Sequence, residues 1–256
     1  PTILRRQRQM CIRDRDKFKD YDFEGSGMSI LLDTLAYNTH YMAFNANMVA
    51  NEMFLDSSSL RSSAVSHAKM LGYEVTSARA PKAVVNVNLQ TTDATKTLAA
   101  GTAFTTTVDG VDYQFVTTSD RTAANSGNSV NFDSVDIFEG TYIIGKTIVD
   151  TSNPDQKFAL TDPNADTSTL TVKVQNSTSD TTSTTYTKAT DITQLNASST
   201  VYYLQEAERG RFEVYFGDGV VSKALTNGNI VILQYVVTNK GAANGVTAFT
   251  SPTAID

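Results

Sequence analysis

The stretch from Ala68 to Leu89, AKMLGYEVTSARAPKAVVNVNL, is where the chain changes its period. Upstream of Gly72, apolar residues recur three and four positions apart, the spacing that gathers them on one side of a helix. Downstream of Pro81, Val85, Val87 and Leu89 alternate with Asn86 and Asn88, the spacing of a strand with one apolar face. Helix first and strands afterwards, without interleaving, is the pattern of an α+β protein.

Towards the N-terminus, Ser29 to Leu71 reads as helix with no Gly or Pro until Gly72. Leu31, Leu35, Met42 and Met53 fall near helical spacing, and Tyr41, Phe44, Met48 and Val49 widen the apolar stripe. The first helix is expected to run to about Leu55. Asp56 with Ser57, Ser58 and Ser59 then breaks it and offers side-chain oxygens for an N-cap. Leu60, Ala64, Val65, Ala68 and Leu71 continue one face up to Gly72, a C-terminal stop. The expectation is a helical hairpin within residues 16–80, or an elbow. Pro1 to Arg15 is basic and patternless, and its Gln9 to Arg15 run looks like a translated sequencing adapter, so it is expected to be a non-native or disordered arm.

Towards the C-terminus, residues 81–256 use the vocabulary of strands and turns. Beyond Val85 to Leu89, strands are expected over Gly101 to Phe104 and Tyr113 to Val116 around an Asp109-Gly110 turn. Others are expected over Thr141 to Val149, Leu170 to Val174, Val201 to Gln205, Phe212 to Phe216 and Ile230 to Val237. The region is read as a sandwich or barrel-like β domain, with a Ser/Thr-rich β insertion at about 150–200 where Leu170, Val172 and Val174 still alternate.

The charge balance narrows the partners. The chain has 256 residues and a formal net charge of -6, and removing the arm takes it to about -10. No dense Lys/Arg stripe is left to neutralise phosphates, so nucleic acid is not an expected partner. The single cysteine, Cys11, permits no internal disulfide. No run of 18 apolar residues exists to span a bilayer, so no membrane partner is expected either.

Catalytic patterns fail one by one. His40 and His67 stand 27 positions apart, without the spacing that sets two imidazoles over one zinc. Cys11 lies in the excluded arm, and no G-x-S-x-G elbow lifts a serine above a sheet. Asp162 to Asp166 opens like a calcium loop, but Thr167 stands where glycine is needed and Lys173 where a bidentate glutamate is needed, which leaves an Asx-turn. Gly217-Asp218-Gly219 follows an alternating strand. A phosphate cradle there would need a helix to follow, whereas Asn227-Gly228, a hairpin signal, and another strand do. Asn244-Gly245 marks a further turn. No cofactor, metal or small-molecule substrate is expected.

The run Tyr202 to Glu206, then Tyr215-Phe216-Gly217-Asp218-Gly219, Leu225, Asn227 to Ile230, Tyr235 and Asn244-Gly245 resembles the segment that marks baseplate J-like proteins. Leu31 to Asp33, Ala36 to Tyr41, Asn47 to Asp56 and Ala68 to Tyr73 look like the N-terminal part of the wedge ring subunit of T-even-type phages. Ser222 departs from the pattern, which usually has glycine there. The resemblance implies a non-enzymatic structural subunit in the tail baseplate of a virion, assembled in the host bacterial cytoplasm. Its expected partners are other wedge subunits and copies of itself. Relatives run on beyond this point, so the chain is expected to be an N-terminal fragment of a longer subunit. Tyr41, Met42, Phe44, Met48, Val49, Met53 and Phe54 cover more than one helix face and are the candidate subunit interface; cover by the chain's own β domain is the other reading. The alternative function is a glycan-binding tail-fibre or adhesin module, and a glycan hydrolase would need two carboxylates across a cleft, which the sequence does not nominate.

Overall fold

The computed structural model describes residues 27–153 and 156–251, so the arm at 1–15 lies outside the described residues. The chain divides into a helical unit ending at Glu74 and a β unit beginning at Val75.

The helical unit holds two α-helices among the described residues, α1 (Gly27–Glu52) and α2 (Arg61–Met70). At a rise of 1.5 Å per residue α1 is about 39 Å long. The stop at Gly72 is a paired cap: Tyr73 N–H donates to Ala68 O at 2.9 Å and Gly72 N–H to Lys69 O at 3.0 Å, with Gly72 at φ 79°. This is the Schellman arrangement, which the left-handed glycine makes possible. The start of α2 differs from expectation. Leu60, not one of the serines, occupies the N-cap and makes no side-chain cap bond. The acceptor comes instead from the end of α1, where the Glu52 carboxylate takes Ser59 N–H at 2.9 Å, the Ser59 hydroxyl at 2.7 Å and Leu60 N–H at 3.2 Å. Bonds from the Ser63 and Ser59 hydroxyls and the Ser59 amide hold the Glu52 pKa down to about 2. His67 Nε2 lies 2.9 Å from Glu52 O, so both the carboxylate and the carbonyl of Glu52 tie the elbow.

The β unit has two cores. The first lies on a four-stranded antiparallel sheet in the order β1-β6-β4-β3, made of β1 (Lys82–Gln90), β3 (Ala103–Val108), β4 (Val111–Thr117) and β6 (Ser129–Glu139). Beside it is a two-stranded ribbon of β2 (Thr95–Leu98) and β5 (Arg121–Ala124). Leu98, Phe104, Phe115, Val130, Phe132, Val135 and Ile137 fill this core. The Asp109-Gly110 turn joins β3 to β4 with both residues at positive φ, 50° and 80°, the primed geometry that matches strand twist.

The second core belongs to a seven-stranded sheet in the order β7-β13-β9-β10-β11-β12-β8. Its strands are β7 (Thr141–Ile148), β8 (Phe158–Ala159), β9 (Ala165–Gln175), β10 (Ser183–Lys188), β11 (Val201–Glu206), β12 (Phe212–Tyr215) and β13 (Ile230–Val237). Side chains from all seven, among them Ile143, Phe158, Val172, Tyr186, Tyr202, Val214 and Val231, meet in one cluster, so the sheet curls nearly into a barrel. The Ser/Thr-rich stretch is part of this wall: β9 lies between β13 and β10, with Val172 and Tyr186 buried.

The two sheets are joined by consecutive strands. β6 ends at Glu139 and β7 starts at Thr141, so only Gly140 separates a strand of one core from a strand of the other. Gly140 has φ 127°, and a Cβ there would lie 2.1 Å from Val237 O. Beside it, the fully buried Glu139 accepts from the Thr238 hydroxyl at 2.6 Å, Asn239 N–H at 2.9 Å and Asn239 Nδ2 at 2.8 Å. A β6 carboxylate is thereby bonded to the chain leaving β13.

Candidate interaction surface

Two sets of residues were singled out in the sequence, a helical face and three glycine turns. In the helical unit no residue of α1 or α2 is buried. Tyr41, Met42, Phe44 and Val49 are exposed on α1, as are Met53 and Phe54 just beyond it, while Met48 is half-buried. Met42 reaches 71% exposure. The helix carries only Asp33 and Glu52 as formal charges over its length. Its apolar positions fall into two seams. Tyr37, Tyr41, Phe44 and Met48 follow spacings of four, three and four, and Leu35, Met42, Val49 repeat every seven, about 130° round the helix. The rings of Tyr37 and Tyr41 are 4.6 Å apart, and the hydrogen bond between their hydroxyls, which favours the protonated Tyr37, raises the Tyr37 phenol pKa. A helix apolar on two sides and so poor in charge is built to be covered on two sides.

The turn residues have structural occupations. Asp218 Oδ1 accepts Val220 N–H at 2.9 Å, an Asx-turn, and Gly219 sits at φ 87° with its N–H on Ser222 O at 2.9 Å. A Cβ on Gly217 would lie 1.9 Å from Ser222 Oγ, so the bare glycine makes room for the buried Ser222, the position that departs from the family pattern. Asn227 Oδ1 accepts Thr151 N–H at 3.2 Å and Gly228 lies at φ 83°. This turn does not close a hairpin with the strand before it. It feeds β13 into the sheet between β7 and β9, because those strands supply β13 with partners on both sides. Gly217 to Gly219 and Asn227-Gly228 thus share the β12 to β13 connection. Asn244 and Gly245, at φ 88°, lie apart from them and line a cleft of about 340 Å³ with Thr106 to Asp109.

The Asp162 to Asp166 segment is the Asx-turn: Asp162 Oδ1 accepts Asn164 N–H at 2.7 Å, and the Asp166 carboxylate is bonded to Ala80 N–H at 2.8 Å and Ser168 N–H at 2.8 Å. Among the described residues no three His, Cys, Asp or Glu side chains converge as a metal would require, and no helix is long and apolar enough to cross a membrane. Sequence reasoning missed Glu139 and the bonding roles of Asp166 and Asn229. The last accepts from Thr226 N–H at 2.8 Å and donates to Asn176 O at 2.8 Å, organising the turn credited to Asn227-Gly228. A signal existed for Glu139, which sits two residues beyond Ile137 on the buried phase of its strand.

Residues 4–73 match the family model described as the helical domain of gp6-like baseplate wedge proteins, and residues 143–246 match that of the third domain of bacteriophage baseplate wedge protein gp6. Over 93% of its length the chain is similar, at 29% identity, to baseplate wedge protein gp6 of Enterobacteria phage T4. It spans 38% of the length of that relative. Two separate stretches, one in the helical unit and one in the β unit, are thus similar to domains of gp6-like baseplate wedge proteins.

Proposed function

We propose that this chain is a structural subunit of a contractile phage tail baseplate, located in the virion and joining wedge components through its helical unit. The observation that carries this reading is the helical unit itself: Tyr41, Met42, Phe44, Val49, Met53 and Phe54 are exposed on an element with no buried residue. Apolar side chains of this size and number are costly in water, at about 25 cal/mol per Å² of surface, and Met and aromatic residues are the types enriched where proteins meet. The partners are other wedge subunits and further copies of the chain. The Tyr215 to Gly219 and Asn227 to Ile230 turns support the finer placement among baseplate J-like proteins. The role is a non-catalytic one, and the glycan-binding alternative is not favoured, since both family matches are to baseplate wedge domains.

The test is Met42→Glu, at the most exposed of the candidate positions on α1. The expected outcome is loss of self-association or of co-assembly with cognate wedge proteins, read by size-exclusion chromatography, with an unchanged circular dichroism spectrum. A parent chain that stays monomeric in the presence of those partners, or a variant that assembles like the parent, refutes the reading.

A further inference from the structure

The open edge of the seven-stranded sheet coincides with an unusual patch on its outer face. In register, Lys146 of β7 lies beside Ile232 of β13, which lies beside Lys173 of β9. On either side of Lys146 along β7 stand Ile144 and Ile148, 51% and 57% exposed. Neither lysine is ion-paired among the described residues. No carboxylate shares these rows, on a chain whose net charge is -6.

β7 is the last strand of its sheet. Val149 N–H donates to Asn229 O and Gly228 N–H to Val149 O, which fixes the odd-numbered residues of β7 as those bonded towards β13. The N–H and C=O groups of Ile144 and Lys146 therefore point away from the sheet. Ile148 O is already taken by Gln156 Nε2 at 2.7 Å, so the open stretch is short and centred on Lys146.

A lone lysine on an edge strand commonly serves to repel strand addition. That accounts for Lys146 alone. It gives no reason for Lys173, two strands inward and about 10 Å away at the usual strand spacing, or for exposed isoleucines on both sides of the guard. We propose that β7 accepts an extended segment of another polypeptide by strand addition, with a carboxylate set against Lys146 and apolar side chains against Ile144 and Ile148. The outward N–H and C=O groups of Ile144 and Lys146 supply the main-chain bonds. The alternation of the incoming strand brings an apolar, an acidic and an apolar side chain onto the patch in turn, and Lys173 adds its field to that of Lys146.

The test uses the full chain with a labelled peptide in which threonine alternates with valine, glutamate and valine, so it is independent of the baseplate assignment. Fluorescence anisotropy measures binding and amide hydrogen exchange locates it. The acidic peptide is expected to bind about threefold or more tightly than its lysine counterpart, the size of one cross-strand charge pair, and to slow exchange at Ile144 and Lys146. Lys146→Glu, an exposed change, is expected to reverse the preference. Equal binding of the two peptides, protection elsewhere on the chain, or no saturable binding overturns the proposal.

Discussion

Gly140→Ala combines a main-chain clash with a backbone conformation that favours glycine. The new Cβ would stand 2.1 Å from Val237 O and 2.9 Å from Val236 Cγ1, where ordinary contact begins near 3.4 Å. The first neighbour is main chain of a central strand, so about 1.3 Å must be found by moving β13 or the bend itself. The backbone also holds φ 127°, a region that residues with a side chain rarely adopt. Strained backbone costs about 1–3 kcal/mol, and overpacking a close-packed site about 1–3 kcal/mol more. A loss of about 2–6 kcal/mol is expected, a large share of the stability of a domain this size. Gly228→Ala is the control: it has φ 83° but nothing within 4 Å of its Cβ, so it reports backbone strain alone, about 1–2 kcal/mol. Urea titrations of parent and both variants, followed by the far-ultraviolet strand signal, give the comparison. If Gly140→Ala falls within about 0.5 kcal/mol of the control, the bend yields easily and the account of a tight sheet crossing fails.

Glu139→Ala takes the acceptor from the Thr238 hydroxyl and from both Asn239 donors, so a loss of about 2–4 kcal/mol is expected, and a denaturation midpoint equal to the parent's would show that the network is dispensable. Glu52 has its folded pKa depressed to about 2 from 4.5, so its contribution to the elbow is complete above about 4.5 and fades as pH falls through about 2. An acid titration of helical circular dichroism should therefore lose a step in Glu52→Gln, and identical parent and variant curves in that window count against the cap. Gly219→Val is expected to cost about 1–3 kcal/mol, because a β-branched residue must hold φ 87° with Ala224 Cβ already 3.6 Å from the new Cβ; unchanged stability would mean that the turn tolerates another conformation.

The change of period at Pro81 made the α+β division legible, and a dense β-branched and apolar run such as Ile230 to Val237 announced its strand. β6 did not, although it pairs with both β1 and β4. Its buried positions run Val130, Phe132 and then Val135, Ile137, so the alternation slips by one residue at Ser134. Ser134 sits at φ 54° and its N–H donates to Asn86 Oδ1 at 2.8 Å, a bulge stabilised by a side chain from the partner strand. A period-2 reading stops at such a slip. β10 was obscured differently, since STTYTK has one apolar residue, Tyr186, and its place in the wall depends on the neighbours β9 and β11. In the helical unit the apolar face was legible, but the capping of α2 was not. Glu52 lies seven residues from Ser59, too far for a local capping rule to find.

The single residue between β6 and β7 also has a mechanical meaning. Where two cores are joined by a slack loop, tension on one is absorbed before it reaches the other. Here the tether is a continuous backbone, bent at Gly140 and clamped beside the bend by Glu139. Load on either core passes straight through this backbone to the other, with no slack segment between them to take it up first.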